Sequence, residues 1–273
     1  MSGMPELPAE DVRRFAQIRE DFTRMMLGYR FGMEQVATRL DILREEFAEL
    51  HADNPIEHIS TRLKSPESII AKAARQEVPL EIEELRRHIT DIAGIRVVCS
   101  FVNDVYRLVD SLTAQPDISV MAVKDYIAQP KPNGYRSLHV IVEIPVFLSA
   151  GAVHVPVEVQ FRTVAMDFWA STEHKIFYKY EGDVPADLRR RITDAAATAA
   201  RMDEEMAELL RRVHGSAPRP RTSPAQGPDD HSPRDLHHPR YHFVSLCLRV
   251  YRGSDPLSEP RRGTPSPATP TAP

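Results

Sequence analysis

The sequence is poor in the features that mark secreted, membrane-spanning and thiolate-metal proteins. Its 273 residues include two cysteines, Cys99 and Cys247, which lie far apart and match no disulfide or metal-ligand spacing. No stretch approaches the roughly 20 consecutive apolar residues of a membrane helix. The start of the chain lacks the basic and then apolar pattern of a secretory signal. We therefore expect a cytoplasmic protein of a reducing compartment, with no membrane partner.

Lysine is also scarce, and its distribution is uneven. Only six of the 35 basic residues are lysines, and all lie between positions 64 and 179. The net charge of −4 argues against stable DNA binding, because proteins that neutralise a nucleic-acid backbone usually carry a broad basic excess. Genome composition alone would explain an excess of arginine, but not the position of the lysines. The lysine cluster favours a binding site for a polyanion in the middle of the chain.

Composition and apolar spacing divide the chain into four segments. Residues 1–55 form a helical extension, with apolar residues at helical spacing between 10 and 50 that predict one long helix or two consecutive helices. Residues 56–182 mix strand and helix patterns, and residues 183–214 predict a further helix. Twelve of the 23 prolines fall in residues 215–273, which predicts a disordered tail.

The central segment predicts an α+β fold. Strand patterns are IRVVCSF, ISVMAV, SLHVIVEIPVFL and HVPVEVQFR, and helices are expected near 65–76, 81–90, 103–115 and 163–180. Ser65 as N-cap and Pro66 at the first helical position mark the start of the first of these helices. This order fits a mixed, mainly antiparallel sheet flanked by helices better than a regular βαβ repeat.

Three of the predicted strands carry polar residues on one face. In VPVEVQFR, Glu158, Gln160 and Arg162 point away from the face that carries the valines. Arg96 and His139 take equivalent positions in two other strands. A solvated outer face would produce the same alternation in a single strand. Three such strands together favour a shared polar working face.

The run RLKSPESIIAK predicts a phosphate site at a helix N-terminus. Ser68 and Lys72 are four residues apart and share one helical face, and Arg62 and Lys64 precede the helix. Free backbone N–H groups and the helix dipole favour anions at this end. A capped surface helix with solvated lysines is an equally good interpretation. The P-loop and Rossmann glycine patterns do not occur in the sequence.

Two further features suit a nucleotide with a metal ion. Asp91 precedes a strand, where an acidic residue is often only a turn residue. Together with Glu158 it would suit Mg²⁺, which prefers one or two carboxylates plus substrate phosphates. The loop KPNGYRSLH carries Lys131, Tyr135 and His139 after a turn signal. An exposed tyrosine flanked by cations suits a stacked base with adjacent phosphates.

Five motifs taken in order resemble the synthetase domain of RelA/SpoT-type enzymes. They are R-x-K-x-x-x-S-x-x-x-K at 62–72, DIAGIR at 91–96, KPNGYRSLH at 131–139, VEVQFRT at 157–163 and AMDFWASTEHKIFYKY at 165–180. The chain is similar more narrowly to the stand-alone small alarmone synthetases, over about residues 10–213. The resemblance implies a nucleotidyltransferase-like synthetase domain over 56–182.

The resemblance also implies the reaction and the roles of residues. The β,γ-pyrophosphate of ATP would pass to the 3′-hydroxyl of GDP or GTP, releasing AMP and (p)ppGpp in stringent-response signalling. Asp91 and Glu158 would bind Mg²⁺, and Glu158 would also take the proton from the 3′-hydroxyl. Positions that match ATP-binding residues are Arg62, Lys64, Ser68, Lys72 and Arg96. Positions that match GDP- or GTP-binding residues are Lys124, Lys131, Tyr135, His139, Gln160 and Asp167, the last standing where some relatives have asparagine.

Alternatives to this reaction remain open at the level of sequence. A second hypothesis keeps the fold but takes tRNA or an adenine nucleotide as acceptor, and a third is a catalytically silent nucleotide- or RNA-binding regulator. The intact loop at 131–139 and the two carboxylates favour the synthetase. The hydrolase of this family resembles a separate domain with a His-Asp motif, which the sequence lacks, so we expect no hydrolysis. The resemblance further implies a homo-oligomer, a tetramer.

Overall fold

The structure, a computed structural model, describes residues 8–50, 54–178 and 184–215. It begins with α1 (Ala9–Leu50), a single helix of 42 residues. The buried residues of α1 include Tyr29, Val36 and Leu40, which follow the helical repeat and lie towards the sheet. A Cβ atom on Gly32 would lie 3.1 Å from Cγ1 of Val155, so glycine allows the helix to approach the sheet closely. The tail beyond residue 215 lies outside the described residues.

A five-stranded sheet forms the centre of the protein. Its strands are β1 (Ile56–Leu63), β2 (Ala93–Cys99), β3 (Ser119–Asp125), β4 (Leu138–Leu148) and β5 (Gly151–Thr163). Their order across the sheet is β1-β2-β5-β4-β3. Only β2 and β5 are parallel, and the other three pairs are antiparallel. The predicted mixed, mainly antiparallel sheet is confirmed.

Five further helices complete the described fold. They are α2 (Pro66–Arg75), α3 (Ile82–His88), α4 (Val102–Thr113), α5 (Val164–Tyr178) and α6 (Ala186–Gly215). The predicted start of α2 is confirmed, because Ser65 caps it by accepting a hydrogen bond from the Ser68 N–H at 3.3 Å. None of the helices in the described ranges is long and apolar enough to cross a membrane.

The alternation in β5 separates a core face from a polar face, as predicted. Val155, Val157, Val159 and Phe161 are buried, and Glu158 and Gln160 lie between them on the opposite face. Since β5 lies between β2 and β4, the polar residues of all three strands share that face.

The first strand was missed by sequence reasoning. β1 lies at the edge of the sheet, and most of its residues are exposed. A register shift between Ile56 and His58 also interrupts the alternation, so no regular two-residue pattern marks this strand. Arg62 therefore lies near the end of a strand that was not predicted, and it precedes α2 as predicted.

Candidate active site

A cavity of about 200 Å³ opens on the polar face, beside β1, β2 and β5. Strand pairing builds it, because Gly94 of β2 lies opposite Glu158 of β5 and Arg96 lies opposite Gln160. Six of the residues singled out from the sequence line it: Arg62, Lys64, Asp91, Arg96, Glu158 and Gln160. Residues from three separate motifs therefore meet at one place.

Two lysines surround Asp91 and make one side of this cavity cationic. Its Oδ2 lies 2.9 Å from Nζ of Lys64, and its Oδ1 lies 2.8 Å from Nζ of Lys72. Burial disfavours the charged form, but the hydrogen bonds from Lys72 and Lys64 outweigh burial and hold the pKa of Asp91 below its ordinary value. Asp91 is therefore ionised at neutral pH, and the two ammonium groups converge on one point beside the cavity.

Glu158 is held by two neighbours on the sheet. Oε1 lies 3.1 Å from Nδ1 of His139, and Oε2 accepts a hydrogen bond of 2.8 Å from Nε2 of Gln160. Burial raises the pKa of Glu158, but the bonds from His139 and Gln160 lower it further than burial raises it. The negative charge of Asp91 also raises the pKa of Glu158, so the two carboxylates are close enough to influence each other.

A chain of hydrogen bonds extends from Glu158 to Tyr135, the residue predicted to stack on a nucleotide base. The Tyr135 hydroxyl lies 2.8 Å from Nε2 of His139 and accepts a hydrogen bond of 2.8 Å from Nη2 of Arg162. Both ring nitrogens of His139 are thus used, Nδ1 towards Glu158 and Nε2 towards Tyr135. Arg162 was placed on this face by the strand alternation, but sequence reasoning gave it no role in the site.

The loop that carries Lys131 and Tyr135 is held by a tight turn. The Gly134 N–H donates to the Lys131 carbonyl at 2.8 Å, which confirms the predicted turn. Nζ of Lys131 lies 4.8 Å from the centre of the Tyr135 ring and 4.5 Å from that of Tyr126. Tyr126 was not predicted from the sequence, because it stands outside the five motifs.

Asp167 joins the two halves of the site through two arginines. Its Oδ1 lies 3.0 Å from Nη1 of Arg162 and 3.3 Å from Nη1 of Arg96. Both ion pairs use the same carboxylate oxygen. The Asp167 side chain is mostly buried at the first turn of α5, directly after β5.

Two predicted residues lie apart from this cluster. Ser68 is in the first turn of α2, where its hydroxyl is 3.1 Å from that of Ser65, the capping residue. Lys124 is exposed on β3 and lies opposite His139 in the strand register. The strand register places Lys124 on the polar face.

The donor atoms of the cavity are compatible with Mg²⁺. Asp91 and Glu158 supply ionised carboxylates, which are hard oxygen ligands. In the described ranges, no group of three or more His, Cys, Asp or Glu side chains gathers as a metal site. The residues present therefore fit an ion that completes its shell with substrate phosphates and water rather than one caged by protein.

Comparison with known proteins places this chain in a family. Residues 61–183 match the family described as the region found in RelA / SpoT proteins. GTP pyrophosphokinase YwaC of Bacillus subtilis is 44% identical over 196 residues, which are 72% of this chain and 93% of that protein. The fold and these likenesses define a RelA/SpoT-type synthetase domain.

Two solved structures narrow the class. Small alarmone synthetase 1 of Bacillus subtilis bound to its product pppGpp has a TM-score of 0.66 and 38% identity, covering 70% of this chain and 97% of that chain. The same synthetase bound to AMPCPP has a TM-score of 0.61 and 34% identity, covering 71% and 99%. The chain belongs to the small alarmone synthetases of the RelA/SpoT family.

Proposed function

We propose that this protein transfers the β,γ-pyrophosphate of ATP to the 3′-hydroxyl of GDP or GTP, releasing AMP and forming (p)ppGpp. The observation that carries the proposal is the position of Glu158 between two sets of residues. On one side it shares a cavity with Asp91 and the arginines, and on the other it contacts His139 next to Tyr135. The relatives bound to pppGpp and AMPCPP support the same assignment.

The cationic side of the cavity suits the ATP donor. Arg62 and Arg96 would hold adenine between them, because a guanidinium plane stacks well on an aromatic base. Lys64 and Lys72 would take the phosphates, exchanging part of their contact with Asp91 for phosphate oxygens. Ser68, at the N-terminus of α2, would add a hydroxyl. Bound Mg²⁺, held by Asp91 and Glu158, would neutralise charge on the transferred group.

The aromatic side suits the guanine acceptor. Tyr135 would stack on guanine and contribute about 1 to 3 kcal/mol. Lys131 and His139 would contact the 5′-phosphates, with Gln160 nearby and Lys124 on the same face. Asp167 would accept from guanine N–H groups, as a carboxylate in the place of asparagine can. These assignments give each half of the site one substrate.

Charge placement dominates the chemistry. The lowered pKa of Glu158 keeps it ionised, as a general base must be, but also makes it a weak base. The acceleration must therefore come chiefly from aligning the 3′-hydroxyl and from cations around the transferred group, each preorganised donor contributing on the order of 3 kcal/mol. Glu158 orients and deprotonates the nucleophile.

Nucleotide chromatography tests the proposal directly. Purified protein is incubated with Mg²⁺ and ATP, and with GDP, GTP, a second adenine nucleotide or tRNA as acceptor. We expect AMP to form together with a guanosine 3′-diphosphate, and no loss of added ppGpp, since the chain lacks the His-Asp motif of the hydrolase. AMP formation with tRNA alone would support the alternative acceptor, and nucleotide binding without AMP would identify a silent regulator.

We further propose a cytoplasmic homo-oligomer, a tetramer. Two helices expose apolar side chains at helical spacing: Val12, Phe15 and Ile18 on α1 and Met202, Met206 and Leu209 on α6. Light scattering after size-exclusion chromatography is expected to give four times the 30.9 kDa chain mass. A monomeric mass at micromolar concentration would refute this assembly.

A further inference from the structure

Arg162 is the deeply buried arginine of the site. It lies near the end of β5, and its side chain is 7% exposed, whereas that of Arg96 is 41% exposed. A buried guanidinium is costly unless its N–H groups are paired. Its burial behind the cavity also means that it does not line the space that holds the donor. The groups that the guanidinium contacts therefore explain why an arginine is buried at position 162.

Three groups on the acceptor side are bonded to this one guanidinium. Nη1 pairs with Oδ1 of Asp167 at 3.0 Å, and Nη2 donates to the Tyr135 hydroxyl at 2.8 Å and to Oε1 of Gln160 at 3.0 Å. Tyr135 comes from the loop before β4, Gln160 from β5 and Asp167 from α5. The planar fork of arginine matches this divergent set, and a lysine ammonium does not.

These bonds close a ring of five side chains. Arg162 contacts Tyr135, Tyr135 contacts His139, His139 contacts Glu158, and Gln160 links Glu158 back to Arg162. Because Arg162 occupies the carbonyl oxygen of Gln160, the amide nitrogen must face Glu158. The guanidinium therefore sets the orientation of the amide as well as the position of the phenol.

Resting on the proposed function, we propose that Arg162 is a positioning residue for the guanine acceptor. It fixes the Tyr135 platform, the Gln160 amide and the Asp167 carboxylate relative to one another before the acceptor binds. Preorganisation of this kind reduces the entropic cost of binding. Loss of Arg162 should therefore weaken the acceptor site and leave ATP binding nearly unchanged.

Steady-state kinetics of Arg162→Lys test the proposal. The lysine keeps the positive charge but cannot reach three partners, so we expect the KM for GDP to rise about tenfold. The KM for ATP should stay within twofold, and kcat should fall less than the acceptor KM rises. Arg201→Lys, on an exposed position of α6, is the matched control and should behave as wild type. An unchanged KM for GDP, or an equal rise in both KM values, would overturn the proposal.

A second variant removes one node of the ring without removing the arginine. Tyr135→Phe keeps the stacking surface and loses only the hydroxyl that links Arg162 to His139. We expect the KM for GDP to rise about threefold, and the Arg162→Lys, Tyr135→Phe double variant to resemble Arg162→Lys alone, because the two substitutions break the same contact. If Arg162→Lys does not fold, a wild-type KM in Tyr135→Phe decides against the proposal.

A binding measurement separates this proposal from the proposed reaction. Trp169 is the single tryptophan of the chain, and its ring centre lies 6.5 Å from that of Tyr135, so its fluorescence reports on this platform. Wild-type protein that binds GDP but forms no AMP would refute the reaction alone. In that case, tenfold weaker GDP binding by Arg162→Lys still supports its positioning role, and equal binding overturns it.

Discussion

At Glu158, burial and hydrogen bonding act on the carboxylate in opposite directions, and hydrogen bonding prevails. The charged oxygen atoms are therefore ready to orient a hydroxyl nucleophile. Glu158→Gln keeps the size of the side chain and removes both the charge and the base. We expect kcat to fall about 10²- to 10⁴-fold, with the binding of both nucleotides largely retained.

The control for this variant is Glu143→Gln. Glu143 lies on the neighbouring strand β4, outside the cavity lining, and is partly exposed. Its substitution should leave kcat within twofold of wild type. A kcat within threefold of wild type in Glu158→Gln would show that another group orients the acceptor.

At Asp203 of α6, burial outweighs hydrogen bonding, the opposite of the balance at Glu158. Burial raises the pKa of its carboxyl, and the hydrogen bond from Thr163 and the charge of Arg136 only partly offset this. The folded state then binds the proton more tightly than the unfolded chain, so the ionised group costs stability at neutral pH. That cost disappears as the pH falls through the raised pKa towards the ordinary value of 3.8.

Asp203→Asn should consequently stabilise the protein at pH 7. The amide oxygen still accepts the hydrogen bond of the Thr163 hydroxyl but carries no charge. Urea denaturation at pH 7, 5.5 and 4.5 is expected to show a higher midpoint for the variant at pH 7 and a smaller difference at each lower pH. A difference that grows as the pH falls would contradict the linkage.

At the scale of elements, α6 supports the loop that carries Tyr135. Trp169 of α5 donates a hydrogen bond of 3.0 Å to the Ile192 carbonyl of α6, and Tyr135 packs against this cluster. Gly134 has φ +87°, and a Cβ atom there would lie 2.5 Å from Cβ of Ala196. The turn and the helix thus fit only if residue 134 lacks a side chain.

Gly134→Ala should displace the loop from α6. We expect the KM for GDP to rise about fivefold or more while the KM for ATP changes little, because stacking on Tyr135 contributes about 1 to 3 kcal/mol. Gly151→Ala is the matched control, since Gly151 has φ +125° but no atom within 4 Å of the added Cβ. That variant should lose stability by about 1 kcal/mol and keep its kinetics. Equal KM values for the two variants would exclude a role for α6.

The contrast between β1 and β5 shows how far sequence patterns reach. The valines of β5 alternate with Glu158 and Gln160, so its strand, its core face and its polar face were all predictable, although the burial of Arg162 was not. β1 lies at the edge with a register shift, and no periodicity marked it. The order of the motifs identified Asp91 and Glu158 as candidate Mg²⁺ ligands. Their common cavity, however, depends on the parallel pairing of β2 with β5.

Arg162 marks a second limit. Alternation placed it on the polar face, yet its three partners come from a loop, a strand and a helix. Such a junction depends on how α5 follows β5 and how the loop folds over the sheet, which are tertiary facts. The same holds for Tyr126, whose contact with Lys131 crosses from the end of β3 to the loop before β4.

At the scale of the whole molecule, the end of β2 reports on global stability. Cys99 is fully buried there, and burial raises the pKa of its thiol to about 12. The nucleophile is the thiolate, so at pH 8 only about one thiol in ten thousand would be reactive even if a reagent reached it. β2 pairs with both β1 and β5, and its exposure requires the sheet to open.

Labelling of Cys99 should therefore follow global unfolding. In a Cys247→Ser chain, Cys99 is the one remaining thiol, and a chain lacking both cysteines supplies the blank. We expect an aromatic disulfide reagent at pH 8 to react at least about 10³-fold more slowly than with free cysteine, given the usual range of unfolding free energies. In rising urea, we expect the labelling midpoint to coincide with the loss of circular dichroism, because β2 is paired with a strand on each side. Complete labelling well below that midpoint would show that β1 detaches from the sheet by itself, and the donor cavity that β1 helps to line would then be the least stable part of the site.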